Sequence, residues 1–221
     1  MNRVSLNSTL PAIAALVGAM VADLAETLVD PANSGNATRI YDAALGHHGL
    51  MVLSAGLLLV SSVLIVPGVF GVVGSLGCRA RWHGRAARAF ALLGAIGHGA
   101  LAGVYLMWAS IPGDGATRAQ LIHVIERLND SPSLVLIFPL FIAFPVALLA
   151  TFGAAVKAGR APKWVLGAAA AALALAIAHP ISDRFSTSAA LLCLITAAVG
   201  VATRGERTSR IAGVNPLPAA S

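Results

Sequence analysis

The chain has 221 residues, of which 57% are hydrophobic and only 11% charged, with a formal net charge of +6 at pH 7. Soluble domains carry roughly 25% charged residues, so a water-soluble globular fold is excluded, and so is the basic face on a soluble module that nucleic-acid binding needs. The composition predicts an all-α polytopic membrane protein of about six transmembrane helices, in one domain spanning 1–205, with a disordered cytoplasmic tail at 206–221.

The first apolar run, 9–29, leads into 21-VADLAETLVDPANSG-35 and carries Asp23, Glu26 and Asp30 where a bilayer-crossing helix normally has no acid. At about 100° per residue the three positions fall on one helical face. An ionised acid near the bilayer centre costs roughly 2.5 to 3.5 kcal/mol on insertion scales, so such groups face a protein interior or a wet cavity and find partners. Two uses are open. Asp30 can be a boundary residue before Pro31, with Asp23 and Glu26 making structural hydrogen bonds to His48, His98 or Ser54. Alternatively, an inward carboxyl keeps its proton because it is desolvated beside another acid, and so becomes a strong donor in a dry pocket.

The second run, 49–77, is opened by His47 and His48 and ends in Gly68, Gly71, Gly74 and Gly77, a stripe of small residues that lets a neighbouring helix approach closely. Pro67 in this run, and Pro139 and Pro145 in the fourth, are expected to bend or locally open their helices. In the third run, 87–111, His98 and Tyr105 share a face, with Trp108 about 80° round from His98. The segment 116-ATRAQLIHVIERLNDSP-132 reads as a short amphipathic helix on the outer surface, with Leu121, Val124, Ile125 and Leu128 on its apolar stripe; Asn129, Asp130 and Ser131 stop it and Pro132 opens the next helix. Phe138 and Phe141 start the fourth run, 133–156, at the depth of Tyr105 and Trp108. Runs five and six, 163–181 and 185–203, contribute His179 and otherwise mainly alanine-rich apolar bulk. The two cysteines, Cys78 and Cys193, have no metal-ligand spacing.

Charge in the connections sets the expected orientation, because Lys and Arg are retained on the cytoplasmic side. With the N-terminus inside, Arg3, Arg79, Arg81, Arg85, Arg88, Lys157, Arg160, Lys163, Arg204, Arg207 and Arg210 are cytoplasmic, as are both termini. The acids then gather at the other end, Glu206 being the exception. No carboxylate cluster suited to magnesium and a diphosphate, no GxSxG, no HExxH and no P-loop is present, so ionisation of a diphosphate is not expected, and a reaction begun by a proton rather than a metal stays open.

The layout and the strings "ADLAETLVDP", "GHHG", "GAIGHGALAG" and "RLNDSP" resemble the bacterial membrane-bound terpene cyclases of drimentine-type pathways in actinomycetes. The resemblance implies an enzyme of the bacterial cytoplasmic membrane that acts on a farnesylated cyclodipeptide and starts cyclisation by protonating an alkene. On that expectation Glu26, or Asp23 beside it, is the proton donor, and His98 or His48 orients the acid or takes the final proton. Tyr105, Trp108, Phe138 and Phe141 stabilise the travelling cation through their ring faces, and Asp30 and Asn129 sit near the polar head. Neither metal nor cofactor is expected, and the partners are the bilayer and a prenylated small molecule. Two other readings use the same residues: proton-coupled transport, for which intramembrane acids and histidines are the usual signature, and haem binding by His48, His98 and His179.

Overall fold

The computed structural model describes residues 9–32, 36–76, 81–113, 117–178 and 184–213, without the side chains of 9, 113, 133–135, 138, 176–178, 184–186 and 203–213. Among the described residues every regular element is helical: α1 (Thr9–Val29), α2 (Ala37–Gly46), α3 (His48–Ser75), α4 (Arg81–Ser110), a single 3₁₀ turn (Ile111–Gly113), α5 (Arg118–Asn129), α6 (Pro132–Lys157), α7 (Trp164–Ala178) and α8 (Arg184–Gly213). Four of these, over Leu10–Val29, His48–Ser75, Arg81–Ser110 and Pro139–Lys157, are long and apolar enough to cross a membrane, and the apolar parts of α7 and α8, Trp164–Leu175 and Thr187–Ala202, are shorter. In so apolar a chain, helices are the economical solution because every backbone hydrogen bond closes within its own segment.

The long helices pack in a cycle, α1 on α3, α3 on α4, α4 on α6, α6 on α7 and α7 on α8, and α8 returns to α1. One apolar core runs through this ring, with Leu16 and Met20 from α1, Ile65 and Val69 from α3, Phe144, Leu148 and Phe152 from α6, Val165 from α7 and Leu194 from α8. Two crossings are close because glycine leaves the space. A Cβ on Gly68 would stand 2.8 Å from the backbone nitrogen of Leu16, and one on Gly71 would overlap the Ala12 side chain. On the other side of the ring a Cβ on Gly94 would lie 2.8 Å from the Phe144 backbone, and one on Gly97 would lie 2.5 Å from the Leu140 carbonyl carbon. Of the stripe expected to pack, Gly68 and Gly71 do so, whereas Gly74 faces open space and Gly77 lies outside the described residues.

Several boundaries differ from those read in the sequence. Helix α4 starts at Arg81 rather than near 87, since arginine is a good helix former and the backbone ladder continues past the apolar stretch. Helix α8 continues through Gly213, beyond position 205. The helices α3 and α6 are continuous through Pro67, Pro139 and Pro145, and each proline deprives the carbonyl four residues earlier of its donor.

The segment between the first two long helices contains an unexpected helix, α2. Its Asn36 N-cap accepts hydrogen bonds from the Thr38 and Arg39 backbone N–H groups at 2.9 and 3.3 Å, and Ala37, Ile40, Tyr41 and Ala44 form its buried stripe. That stripe meets α5, where Leu121 and Ile125 are buried and Val124, expected on the same stripe, is exposed. Helix α5 thus buries its apolar side on α2, Trp108 and Ile111 to form a small second core. The Arg118 guanidinium, lying over the Tyr41 ring, donates to both Asp42 oxygens at 2.8 and 3.0 Å, and this hydrogen bonding raises its already high pKa.

The glycine crossings yield a direct test. Gly97→Ala should lower stability by about 1 to 3 kcal/mol, because the added methyl meets backbone that cannot rotate away. Gly103→Ala, on the same helix with nothing within 4 Å of the new atom, should be neutral or stabilising. Thermal unfolding in detergent measures both, and a wild-type melting temperature for Gly97→Ala would refute the close crossing.

Candidate functional site

Helices α1 and α4 both pack on α3, and they are joined to one another by polar side chains. His98 Nε2 lies 3.1 Å from Asp23 Oδ2, and the Tyr105 hydroxyl donates to Asp30 Oδ2 at 2.9 Å. Advancing seven residues on α1 advances seven on α4, so the helices run parallel and in register. The two rungs are separated by roughly 10 Å along the axis.

The lower rung is buried, with His98 only 1% and Asp23 7% exposed. His98 Nδ1 lies 3.0 Å from the Gly94 carbonyl, which can only accept, so Nδ1 carries a proton and donates it there. Nε2 therefore meets Asp23 with one proton to share: the imidazolium donates to a carboxylate, or the carboxylic acid donates to a neutral ring. Asp23 Oδ1 is buried and has no hydrogen-bond partner among the described residues. The imidazole is held between two rings of α6, stacked on Phe141 at 4.7 Å and 21° and tilted against Phe144 at 4.5 Å. Gly94 and Gly97 make this possible, since without a Cβ on either the α6 backbone comes within reach of the ring between them.

The upper rung engages three groups. Asp30 accepts the Tyr105 O–H on Oδ2 and the Ala32 backbone N–H on Oδ1 at 2.9 Å, and Glu26 interacts with the same Tyr105 hydroxyl. Tyr105 also packs against Trp108, with ring centroids 5.4 Å apart.

The residues singled out in the sequence divide accordingly. Asp23 and His98 meet, as do Glu26, Asp30 and Tyr105, and Phe141 stands at the lower rung. His48, expected as an alternative partner of the acids, instead bonds the Ala109 carbonyl through Nδ1 at 3.1 Å, because it opens α3 beside the end of α4. Ser54 Oγ, another proposed partner, is buried without a hydrogen bond among the described residues. Trp108 sits in the α2–α5 core, buried, with its indole N–H unpaired among the described residues. Asn129 closes α5 and is half-buried. The side chain of Phe138, and all of His179, lie outside the described residues. Phe144, Gly94 and Gly97 were missed; the i, i+3 spacing of Phe141 and Phe144 and the glycines flanking His98 in "GAIGHGALAG" were the available signals. Among the described residues no three of His, Cys, Asp and Glu gather as a metal site requires. His98 is engaged at both ring nitrogens, and His48 at Nδ1.

No protein-family model, curated protein or solved structure matches this chain.

The Asp23–His98 contact predicts a coupling energy. Asp23→Ala should destabilise by about 1 to 3 kcal/mol by leaving a buried ring nitrogen without a partner, and His98→Phe should relieve part of that loss in the double variant. Unfolding measurements on the four proteins give the coupling, and strictly additive losses would mean that the pair does not interact.

Proposed function

We propose that this chain is a membrane-integral terpene cyclase in which the Asp23 carboxyl, supported by His98, protonates an alkene of a farnesyl chain. The observation that carries the reading is the Asp23–His98 pair: one carboxyl oxygen is tied to an imidazole, the other is buried without a hydrogen bond among the described residues, and two aromatic rings flank the imidazole. When the pair has taken up a second proton, so that Nε2 donates to Oδ2 while Oδ1 also carries one, the imidazolium draws electron density from the carboxyl and the Oδ1 proton becomes easier to release. In the initiating step the Oδ1–H bond breaks as the alkene π pair forms a C–H bond, leaving a tertiary cation and an Asp23 carboxylate held by the imidazolium. The remaining alkenes close rings by attacking the cation, and loss of a proton from carbon ends the sequence, so the reaction is a net isomerisation. Phe141 and Phe144 offer their faces to the positive charge, and an apolar bundle keeps water from quenching it. The farnesylated cyclodipeptide follows from the resemblance of the sequence strings, with its head placed toward Asp30 and the α2–α5 cap.

The six-span arrangement, with both termini cytoplasmic, in a bacterial inner membrane, belongs to the same proposal. It is supported by the closed cycle in which α7 and α8 lie beside α6 and α1, and by the positive residues near the junctions of α3 with α4 and of α6 with α7. Helix α7 is about 22 Å long, short for a span. The outer position of α5 is carried by the same topology. Proton-coupled transport is the second reading, favoured by two acid rungs stacked along α1.

Two measurements test the proposal. Reporter fusions should place residues 158–162 and the C-terminus inside, and an external C-terminus would reverse the polarity of the acids. With detergent-solubilised protein and a farnesylated cyclodipeptide, Asp23→Asn should reduce turnover by about 10² to 10⁴-fold while substrate still binds. Products are read by mass spectrometry and NMR, with and without EDTA. Full activity of Asp23→Asn removes the donor, and abolition by EDTA shows a metal-initiated reaction.

A further inference from the structure

The end of the bundle away from the acids gathers the opposite charge. Helices α4 and α6 pack antiparallel, Gly94 against Phe144 and Gly97 against Leu140, and the same register continues to the start of α4, where His83 Cδ2 lies 3.8 Å from the place a Gly153 Cβ would occupy. Leu166 Cδ2 of α7 stands at the same 3.8 Å from that point, so the first turn of α4, the end of α6 and the start of α7 meet there. The connection from α6 to α7 is a fixed turn. Gly159 takes φ +74°, its N–H donates to the Val156 carbonyl at 3.0 Å and the Arg160 N–H donates to the Ala155 carbonyl at 2.8 Å, which closes α6 and leaves Lys157, Arg160 and Lys163 close together in the chain. These three are exposed, as are Arg81 and Arg85 on α4. Two tryptophans stand among them. Trp82 is 78% exposed with the Arg85 guanidinium 5.4 Å over its ring, and Trp164 is 51% exposed with one edge seated on α8 where Gly200 leaves the space.

None of Arg85, Lys157, Arg160 and Lys163 forms an ion pair among the described residues. Every acid side chain described lies in the C-terminal half of α1 or just past it, in α2 or at α5, and the Asp30 contact on Tyr105 is about 36 Å along α4 from Arg81. Cations gathered in this way repel one another, and an anion among them relieves the repulsion. Helices α4 and α6 are long and apolar enough to cross a membrane, which puts the cluster at the level of the lipid head groups, where tryptophan rings and the long stems of lysine and arginine settle. We infer that the face formed by the start of α4 and the α6–α7 turn binds anionic phospholipid head groups, with Arg81, Arg85, Lys157, Arg160 and Lys163 around the phosphate and Trp82 and Trp164 against the glycerol and the upper acyl chains. Basic clusters beside a span attract acidic lipids for the same electrostatic reason. The inference depends neither on the cyclase reading nor on which side of the membrane this end faces.

The test uses the full chain in phosphatidylcholine nanodiscs in which a rising fraction of the lipid is brominated on its acyl chains, as either phosphatidylglycerol or phosphatidylcholine. Bromine quenches tryptophan fluorescence on contact, and two of the chain's 3 tryptophans, Trp82 and Trp164, belong to this face. Trp108→Phe removes the third reporter, and the wild-type chain serves if that variant does not fold, because Trp108 is buried. In about 0.1 M salt, half-quenching should need a roughly tenfold lower fraction of phosphatidylglycerol than of phosphatidylcholine. Arg85→Gln, Lys157→Gln, Arg160→Gln and Lys163→Gln combined should bring the two fractions together. Arg39→Gln with Arg127→Gln, at exposed positions of the acidic end, should leave the difference as it is. Should the combined variant not fold, about 1 M salt on the wild-type chain gives the same reading, since screening within about 3 Å should erase the preference. Equal quenching by the two lipids in the wild type overturns the inference, as does a preference that survives in the folded combined variant or in the high salt. A preference lost equally in Arg39→Gln with Arg127→Gln overturns it too, by making the effect one of net charge. So does a preference abolished by inorganic phosphate at an ionic strength where chloride leaves it intact, which would assign the cations to a free anion.

Discussion

A buried carboxyl facing a buried imidazole is tolerable only if each finds the other, and this requirement ties α1 to α4 across a helix that both pack against. Asp23 in an apolar bundle without a partner would cost several kcal/mol. With His98 opposite at 3.1 Å, and Gly94 accepting from the other ring nitrogen, that cost is offset and the ring orientation is set. The pairing also fixes the register of two parallel helices, since a shift of one residue on either would swing its acid or histidine about 100° away. The Asp30–Tyr105 contact repeats the same register one heptad later.

Close helix crossings supply the geometry that the pair needs. Gly68 and Gly71 bring α3 onto α1, and Gly94 and Gly97 bring α6 onto α4, so the histidine sits where the aromatic rings of α6 arrive. Glycine here acts through what it lacks, because apolar helices gain little from apolar contact alone and associate through close packing and hydrogen bonds. At the end of the bundle where the acids lie, the α2–α5 pair closes over Trp108 and Ile111 with a core of its own, and the exposed Arg118–Asp42 contact bridges its two helices. Such exposed bridges add little stability; the burial of Ile40, Leu121 and Ile125 is what holds the pair.

The function proposed for these features is chemistry based on protons. On the proposed reading, the Asp23–His98 pair beside Phe141 and Phe144 gives up a proton and regains it inside an apolar shell. Cation chemistry on a prenyl chain uses that arrangement for initiation, and a carrier would use it for coupling. They differ in whether a carbon or a neighbouring carboxylate receives the proton.

Much of the architecture is legible in the residues themselves. Long apolar runs set the helices, because a backbone away from water must bond to itself, and the spacing of Asp23, Glu26 and Asp30, like that of His98 and Tyr105, places each set on one face. What spacing could not say is which faces meet: His48 and His98 were equal candidates for the acids, and the choice fell to His98 because of the ring order and the glycine crossings, both products of long-range packing. Helix α2 was missed for a related reason, since ten residues with a modest apolar stripe are marginal as an isolated helix and become stable on meeting α5. Phe144 was one aromatic among many apolar residues until Gly94 brought its backbone against α4. Local sequence determined which groups could hold a proton and on which side of each helix they stand; only the tertiary structure decided their partners, because a hydrogen bond between residues 75 positions apart depends on the packing of every helix between them.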